Sequence, residues 1–173
     1  MRTVIILGSL IFVSTAVSAQ TSYAGMQSRP IKALSEQQVA DLNAARGMGS
    51  ALAAELNGYP GPSHVLELSD KLQLTNEQRA AIQKLFASMK QEALPLGSKL
   101  IEQEAELDKQ FSTRTVTPES LKAATAAVAT TQGNLRETHL KYHLSTVAIL
   151  SHDQMQKYAE LRGYSGHATH QHN

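Results

Sequence analysis

Mostly apolar side chains recur at alternating steps of three and four residues in two long stretches, which is the spacing of one face of an α-helix. The first stretch contains Ile82, Phe86, Met89, Ala93, Leu96, Leu100, Gln103 and Leu107. The second contains Leu121, Thr125, Val128, Gln132, Leu135, His139, Tyr142, Thr146 and Ile149. Since no long segment alternates apolar and polar residues as a strand does, the pattern predicts an all-α fold.

A polar segment at residues 112–120 separates the two stretches and contains a helix start. Thr117 is placed to act as N-cap, with Pro118 at the first helical position. Two long helices joined by a short turn lie antiparallel. The sequence therefore predicts a long helical hairpin over residues 76–148, flanked by shorter helices.

A five-residue pattern of Leu, Ser or Thr, two variable residues and Gln occurs three times, beginning at Leu34, Leu74 and Leu150. In each copy the hydroxyl can cap the first turn of a helix while the Gln side chain reaches back, which forms a capping box. Each copy therefore predicts the start of a helix.

The flanking helices follow from these starts. The first copy predicts a helix from Ser35 to about Leu56, ended by the Gly- and Pro-rich residues 57–62. A short helix is predicted over residues 63–72, and the third copy predicts a last helix ending near Gly163.

Two of the copies, "LTNEQ" and "LSHDQ", bracket the hairpin. Their motif residues are Leu74, Thr75 and Gln78 in the first and Leu150, Ser151 and Gln154 in the second. Because the two ends of an antiparallel hairpin meet, the sequence predicts that Leu74 and Leu150 are neighbours at its base.

The first 19 residues have the features of a secretory signal peptide. Arg2 precedes an apolar stretch over residues 4–17, and "VSA" ending at Ala19 supplies the small residues of a cleavage site. The alternative is a membrane anchor formed by residues 4–17, although that stretch is shorter than the ~20 residues of a spanning helix. We expect an exported protein that resides in the periplasm.

Composition excludes several classes of function. Cleavage after Ala19 removes one of the 16 basic residues and none of the 15 acidic ones, so both counts become 15. This balance gives no indication of a nucleic-acid partner. The chain has no Cys, and therefore neither disulfides nor thiol chemistry. No catalytic constellation is apparent, and we expect a protein that is not an enzyme.

The export signal, the absence of Cys, the helical hairpin and the two motifs at its base resemble the Spy/CpxP group of small periplasmic proteins, whose hallmark is a paired Leu-Thr-x-x-Gln motif. The second copy departs from the hallmark by having Ser151 where the motif has Thr, which keeps the capping oxygen. The resemblance covers about residues 63–163. It implies a curved helical homodimer, and the group includes ATP-independent chaperones, envelope-stress regulators and periplasmic metal sensors.

His139 and His143 are four residues apart and so share one helical face, where two imidazoles can bind one metal ion. Metal-sensing members of the group are similar in having helix-borne ligands shortly before the second motif. His64, with Glu67 one turn later, can supply a third ligand if its short helix lies against the hairpin base. The alternative is that His139 is a hydrogen-bonded core residue while His64 and His143 are exposed.

A second cluster, His167, His170 and His172, lies in the last seven residues. Closely spaced imidazoles in a flexible tail bind Zn, Cu or Ni ions loosely, or are a solvated tail without a role. His152, inside the second motif, is interpreted as incidental.

These features predict four segments: a signal peptide (1–19), a flexible arm (20–34), one helical domain (35–163) and a flexible His-rich tail (164–173). We expect a periplasmic chaperone that binds unfolded or stress-damaged envelope proteins through an adaptable apolar surface. The alternative is a heavy-metal sensor or binding protein for Zn, Ni or Co, read by a membrane-bound partner. No cofactor is required in the first case.

Overall fold

The computed structural model describes residues 23–164, and every regular element in that range is helical. The α-helices are α1 (Glu36–Asn43), α2 (Leu52–Glu55), α3 (Pro62–Glu67), α4 (Asn76–Ser112), α5 (Pro118–Val147) and α6 (His152–Leu161). Helices α4 and α5 pack along each other as a long pair, and α1 and α3 lie against α4. The predicted all-α fold with a long hairpin is confirmed, while the curved homodimer stays a prediction.

Four helices begin with the same N-terminal capping arrangement. Ser35, Thr75, Thr117 and Ser151 are the N-caps of α1, α4, α5 and α6, and each forms a complete capping box. These boxes satisfy backbone N–H groups that have no partner inside the helix. The long hairpin helices therefore start at fixed positions.

Two hydrophobic clusters hold the helices together. The upper cluster joins α1 to the middle of the hairpin and consists of Leu42, Ala45, Ala93, Leu100, Val128 and Leu135. The base cluster consists of Val65, Leu72, Leu74, Ile82, Leu150 and Tyr158. Leu121 and Phe111 are exposed near the hairpin turn, so burial is concentrated in the lower and middle parts of the hairpin.

The prediction of a single helix from Ser35 to about Leu56 is wrong. Helix α1 ends at Asn43, and α2 begins only at Leu52. Between them Ala45, Met48 and Gly49 have φ angles of 54°, 46° and 79°, which are incompatible with a right-handed helix. The chain turns here because Ala45 is buried in the upper cluster, a tertiary contact that outweighs the helix propensity of alanine.

The short helix before the first motif is also shorter than predicted. Helix α3 ends at Glu67, and turns occupy residues 68–73. Gln73 has a φ of 50°, which reverses the chain so that Leu72 and Leu74 both enter the base cluster.

The described part of the predicted N-terminal arm contacts the hairpin. Residues 26–28 form a 3₁₀ turn. Lys32 Nζ lies 3.2 Å from Asp108 Oδ2 on α4, and its backbone N–H donates to Oδ1 at 3.3 Å. Leu34 packs on the upper cluster. The predicted signal peptide, residues 1–19, and tail residues 165–173 lie outside the described residues.

Within residues 23–164, no helix combines the length and the apolar character that crossing a membrane requires.

Candidate metal site at the hairpin base

The two motif copies meet at the base of the hairpin. Gln78 Nε2 lies 2.9 Å from Gln154 Oε1, and Gln154 Nε2 lies 2.9 Å from Gln78 Oε1. Each amide oxygen also accepts the N–H of its own N-cap residue. Leu74 and Leu150 belong to the same hydrophobic cluster. The motif therefore joins two helix starts into one unit.

Each Gln also donates across the base to a backbone carbonyl. Gln78 Nε2 donates to Ile149 O at 2.9 Å, and Gln154 Nε2 donates to Leu72 O at 3.3 Å. These bonds tie the turn before α4 to the end of α5. Four side-chain hydrogen bonds therefore connect the two ends of the hairpin at its base.

An open cavity of about 460 Å³ lies beside this base. The three histidines proposed from the sequence, His64, His139 and His143, all line it, together with the carboxylates of Glu55 and Glu67. Helix α3 supplies His64 and helix α5 supplies the other two. The fold therefore brings together residues that are about 75 positions apart in sequence.

His139 is almost completely buried, with 3% of its surface exposed. Its Nε2 has no hydrogen-bond partner in the described part of the chain. Burial, and then the nearby His143, lower the pKa of His139, so the ring is held neutral. A neutral imidazole with a free nitrogen is the form that binds a metal ion.

His143 is buried one turn further along α5. Its Nδ1 lies 2.6 Å from the carbonyl oxygen of Tyr59. A carbonyl oxygen only accepts, so Nδ1 carries the hydrogen, and in the neutral form of the ring Nε2 has the lone pair. Gly61 allows this placement, because a Cβ at that position would lie 2.8 Å from His143 Cε1.

His64 lies at the edge of the cavity, with its side chain 37% exposed. Its Nδ1 is buried and lies 3.4 Å from Glu55 Oε1, but the pair does not have the geometry of a hydrogen bond. This nitrogen too has no hydrogen-bond partner among residues 23–164, although the His64 ring beside Glu55 lowers the pKa of that carboxyl.

Glu55 is a buried carboxylate at the centre of the site. Its Oε2 accepts the Gly61 N–H at 3.2 Å. Its Oε1 accepts the hydroxyls of Tyr158 and Tyr164, the latter at 3.2 Å, and lies 3.5 Å from Arg162 Nε. The C-terminal end of α6 thus meets α2 through this carboxylate.

The surroundings of Glu55 keep it ionised. Burial raises the pKa of this carboxyl, but the neighbouring His64 ring, the Tyr158 hydroxyl and the Gly61 N–H lower it by more, to about 2. Burial and the Glu55 charge raise the pKa of Tyr158, which therefore remains a donor.

The sequence patterns did not identify Glu55, Tyr158 or Arg162 as residues of the site. The only local signal is that Glu55 is a lone acid in an apolar helix, "ALAAEL". Its partner Tyr158 is 103 residues away, and no spacing rule connects them. His152, which sequence reasoning set aside, lies exposed at the start of α6. The tail residues His167, His170 and His172 lie outside the described residues.

The donor set fits a transition-metal ion. His64, His139 and His143 line one cavity together with the ionised Glu55, and His64 Nδ1 and His139 Nε2 have no hydrogen-bond partner among residues 23–164. Nitrogen and carboxylate donors are the ligands of Zn(II), Ni(II) and Co(II). Among residues 23–164, no group of three or more His, Asp or Glu side chains is already close enough to share one ion.

Comparison with known proteins identifies the family. No curated protein and no solved structure matches the chain. The sequence model of a family described as heavy-metal resistance matches residues 47–157, which include both motif copies, the three histidines of the cavity and Glu55. This family is related to the Spy/CpxP group of helical proteins, which the sequence resembles. The chain therefore belongs to the heavy-metal resistance family.

Proposed function

We propose that this protein binds a divalent transition-metal ion at the base of its hairpin, as an exported periplasmic component of heavy-metal resistance. The observation that carries the proposal is the buried Nε2 of His139, which has no partner in the described structure and belongs to a residue that lines the same cavity as His64 and His143. Leaving such a nitrogen unsatisfied costs about 1–3 kcal/mol. A metal ion would remove that cost.

The chemistry of the donors selects the class of ion. The chain offers no thiolate, so the soft Cu(I) ion lacks its preferred ligands. Imidazole and carboxylate suit Zn(II), Ni(II) and Co(II), and also Cu(II). His139 and His143 would form the core of the site because both are buried on one face of α5, with His64 as a further ligand. Bound there, the ion would connect α3 to α5, and no catalytic step is part of this role.

Calorimetric titration of the metal-free, untagged protein with Zn(II), Ni(II) or Co(II) tests the proposal. The double variant His139→Ala/His143→Ala should bind at least 10-fold more weakly than wild type, since metal affinity depends on both imidazoles. The matched control is His152→Ala, which removes an exposed histidine outside the cavity and should leave the affinity unchanged. Equal affinities for wild type and the double variant would reject the site.

Binding of a metal ion could be transmitted to a membrane-bound partner. A ligand shifts a conformational equilibrium only by its difference in affinity for the two states. If α3 moves relative to the hairpin, a metal site between α3 and α5 has a different affinity in each of the two conformations. In this proposal the membrane-bound partner recognises the metal-bound conformation, and the protein thereby acts as a sensor.

Chaperone activity is a second candidate, supported by a different observation. Several large apolar side chains are exposed along the hairpin helices, and these are Leu94, Phe111, Leu121 and Leu144. Dispersed apolar side chains on a thin hairpin suit weak contacts with unfolded chains. Suppression of the aggregation of a model unfolded protein at a few molar equivalents tests this role. Absence of protection at any ratio would reject it.

A further inference from the structure

The two oxygens of the Glu55 carboxylate serve different parts of the molecule. Oε2 accepts the Gly61 N–H and lies 3.8 Å from His143 Nδ1. Oε1 accepts the Tyr158 and Tyr164 hydroxyls, yet the same oxygen lies 3.4 Å from His64 Nδ1. The carboxylate is therefore shared between the histidine cavity and the C-terminal end of α6.

The segment Tyr158–Tyr164, which we call the C-terminal latch, makes three polar side-chain contacts with this carboxylate. Tyr158 is 3% exposed and its hydroxyl has Glu55 as acceptor. Arg162 Nε donates to the Tyr164 hydroxyl at 3.2 Å and also lies 3.5 Å from Glu55 Oε1. Two hydroxyl donors and one cation of the latch thus converge on a single oxygen atom.

We propose that a metal ion bound by His139, His143 and His64 competes with the C-terminal latch for the Glu55 carboxylate, so that metal binding releases the latch. The inference rests on the proposed metal-binding function and adds its structural consequence. The signal would be the exposure of residues 158–164, at the C-terminal end of α6.

The metal ion and the latch should compete for Glu55 for two reasons, which are the charge of the ion and the number of hydrogen bonds that one oxygen can accept. Oε1 already accepts two hydroxyls, which occupy both of its lone pairs. A cation at His64 Nδ1 would lie next to this oxygen and would draw it away from the hydroxyls. The cation would also lie near the Arg162 guanidinium, and like charges repel strongly in a partly buried site.

Hydrogen exchange measured by mass spectrometry on the full untagged chain tests the release directly. The amides of Arg162, Gly163 and Tyr164 donate to Tyr158 O, Glu160 O and Ala159 O, and so report on the latch. Saturating Zn(II) should accelerate their exchange by about 5-fold or more, the lower end of typical coupling between sites. The amides of Thr113 and Thr115, at the far end of the hairpin, should not change.

The reverse measurement follows from reciprocity, because weakening the latch must strengthen metal binding. Tyr158→Phe removes the hydroxyl and keeps the packed ring, so the variant should bind Zn(II) about 5-fold more tightly than wild type. Gln156→Ala is the matched control, since Gln156 is exposed on the same helix and lies outside the latch, and its affinity should equal that of wild type.

The outcomes separate the two proposals. Wild-type protein that binds no metal would overturn both. Metal binding with unchanged or slower exchange of the latch amides, or with unchanged or weaker affinity in Tyr158→Phe, would overturn the competition alone and leave the metal site intact.

Discussion

Replacing Glu55 by Gln tests how much the buried carboxylate contributes to stability. The substitution keeps the size of the side chain but removes the charge that Tyr158, Tyr164 and Arg162 surround. The pKa of Glu55 falls from 4.5 to about 2 in the folded protein. Each tenfold change in proton affinity corresponds to about 1.4 kcal/mol, so the ionised form stabilises the fold by about 3 kcal/mol over the neutral form.

The sign of the pH dependence follows from the depressed pKa. A carboxyl with a lower pKa in the folded state contributes stability that is complete above pH 4.5 and is lost as the pH falls toward 2. Wild type should therefore exceed Glu55→Gln by about 3 kcal/mol at pH 5, and by roughly half of that at pH 3.

Urea denaturation of metal-free protein in the presence of a chelator, followed by circular dichroism, measures the difference. Glu102→Gln is the control, because Glu102 is exposed and its substitution should change stability by less than about 0.5 kcal/mol. Stability differences between wild type and Glu55→Gln that are the same at pH 5 and pH 3 would refute the reasoning, since they would show that the charge is not the source of the effect.

Two further predictions concern packing and the paired motifs, and both can be measured by urea denaturation. Gly97→Ala should destabilise the protein by about 1–3 kcal/mol, because the added methyl group would lie 2.6 Å from Leu42 O. Gly133→Ala should instead stabilise it by up to about 1 kcal/mol, because its methyl group would have no neighbour within 4 Å and alanine favours the helix. Gln78→Ala should cost about 1–2 kcal/mol more than Gln38→Ala, because both lose a capping box and only Gln78 also bonds across the hairpin base. Equal losses in the last pair would contradict the role assigned to the motif.

The fold was predictable where local rules determine it. The starts of α1, α4, α5 and α6 follow from capping boxes that involve residues only three positions apart. The break after Asn43 was not predictable, because the left-handed backbone of Ala45 and Met48 goes against the preference of these side chains. The turn exists because it places Ala45 in the upper cluster, and local sequence does not encode that contact.

The candidate site was predictable only in part. The spacing of His139 and His143 places them on one face of α5, and the meeting of the hairpin ends allows His64 to join them. Glu55 could not be foreseen, because two of its three donors, Tyr158 and Tyr164, lie in the C-terminal latch, 103 and 109 residues away. Pairing across such distances depends on the finished fold.

Native mass spectrometry of the untagged protein is the most direct test of the metal site, because it counts bound ions and subunits together. The chain truncated after Tyr164 lacks His167, His170 and His172 and is compared with the same chain carrying His139→Ala/His143→Ala. We predict that, after incubation with Zn(II), the truncated chain retains an ion that the substituted chain lacks. An ion count that falls to zero on truncation alone would place metal binding in the tail and contradict the proposed site.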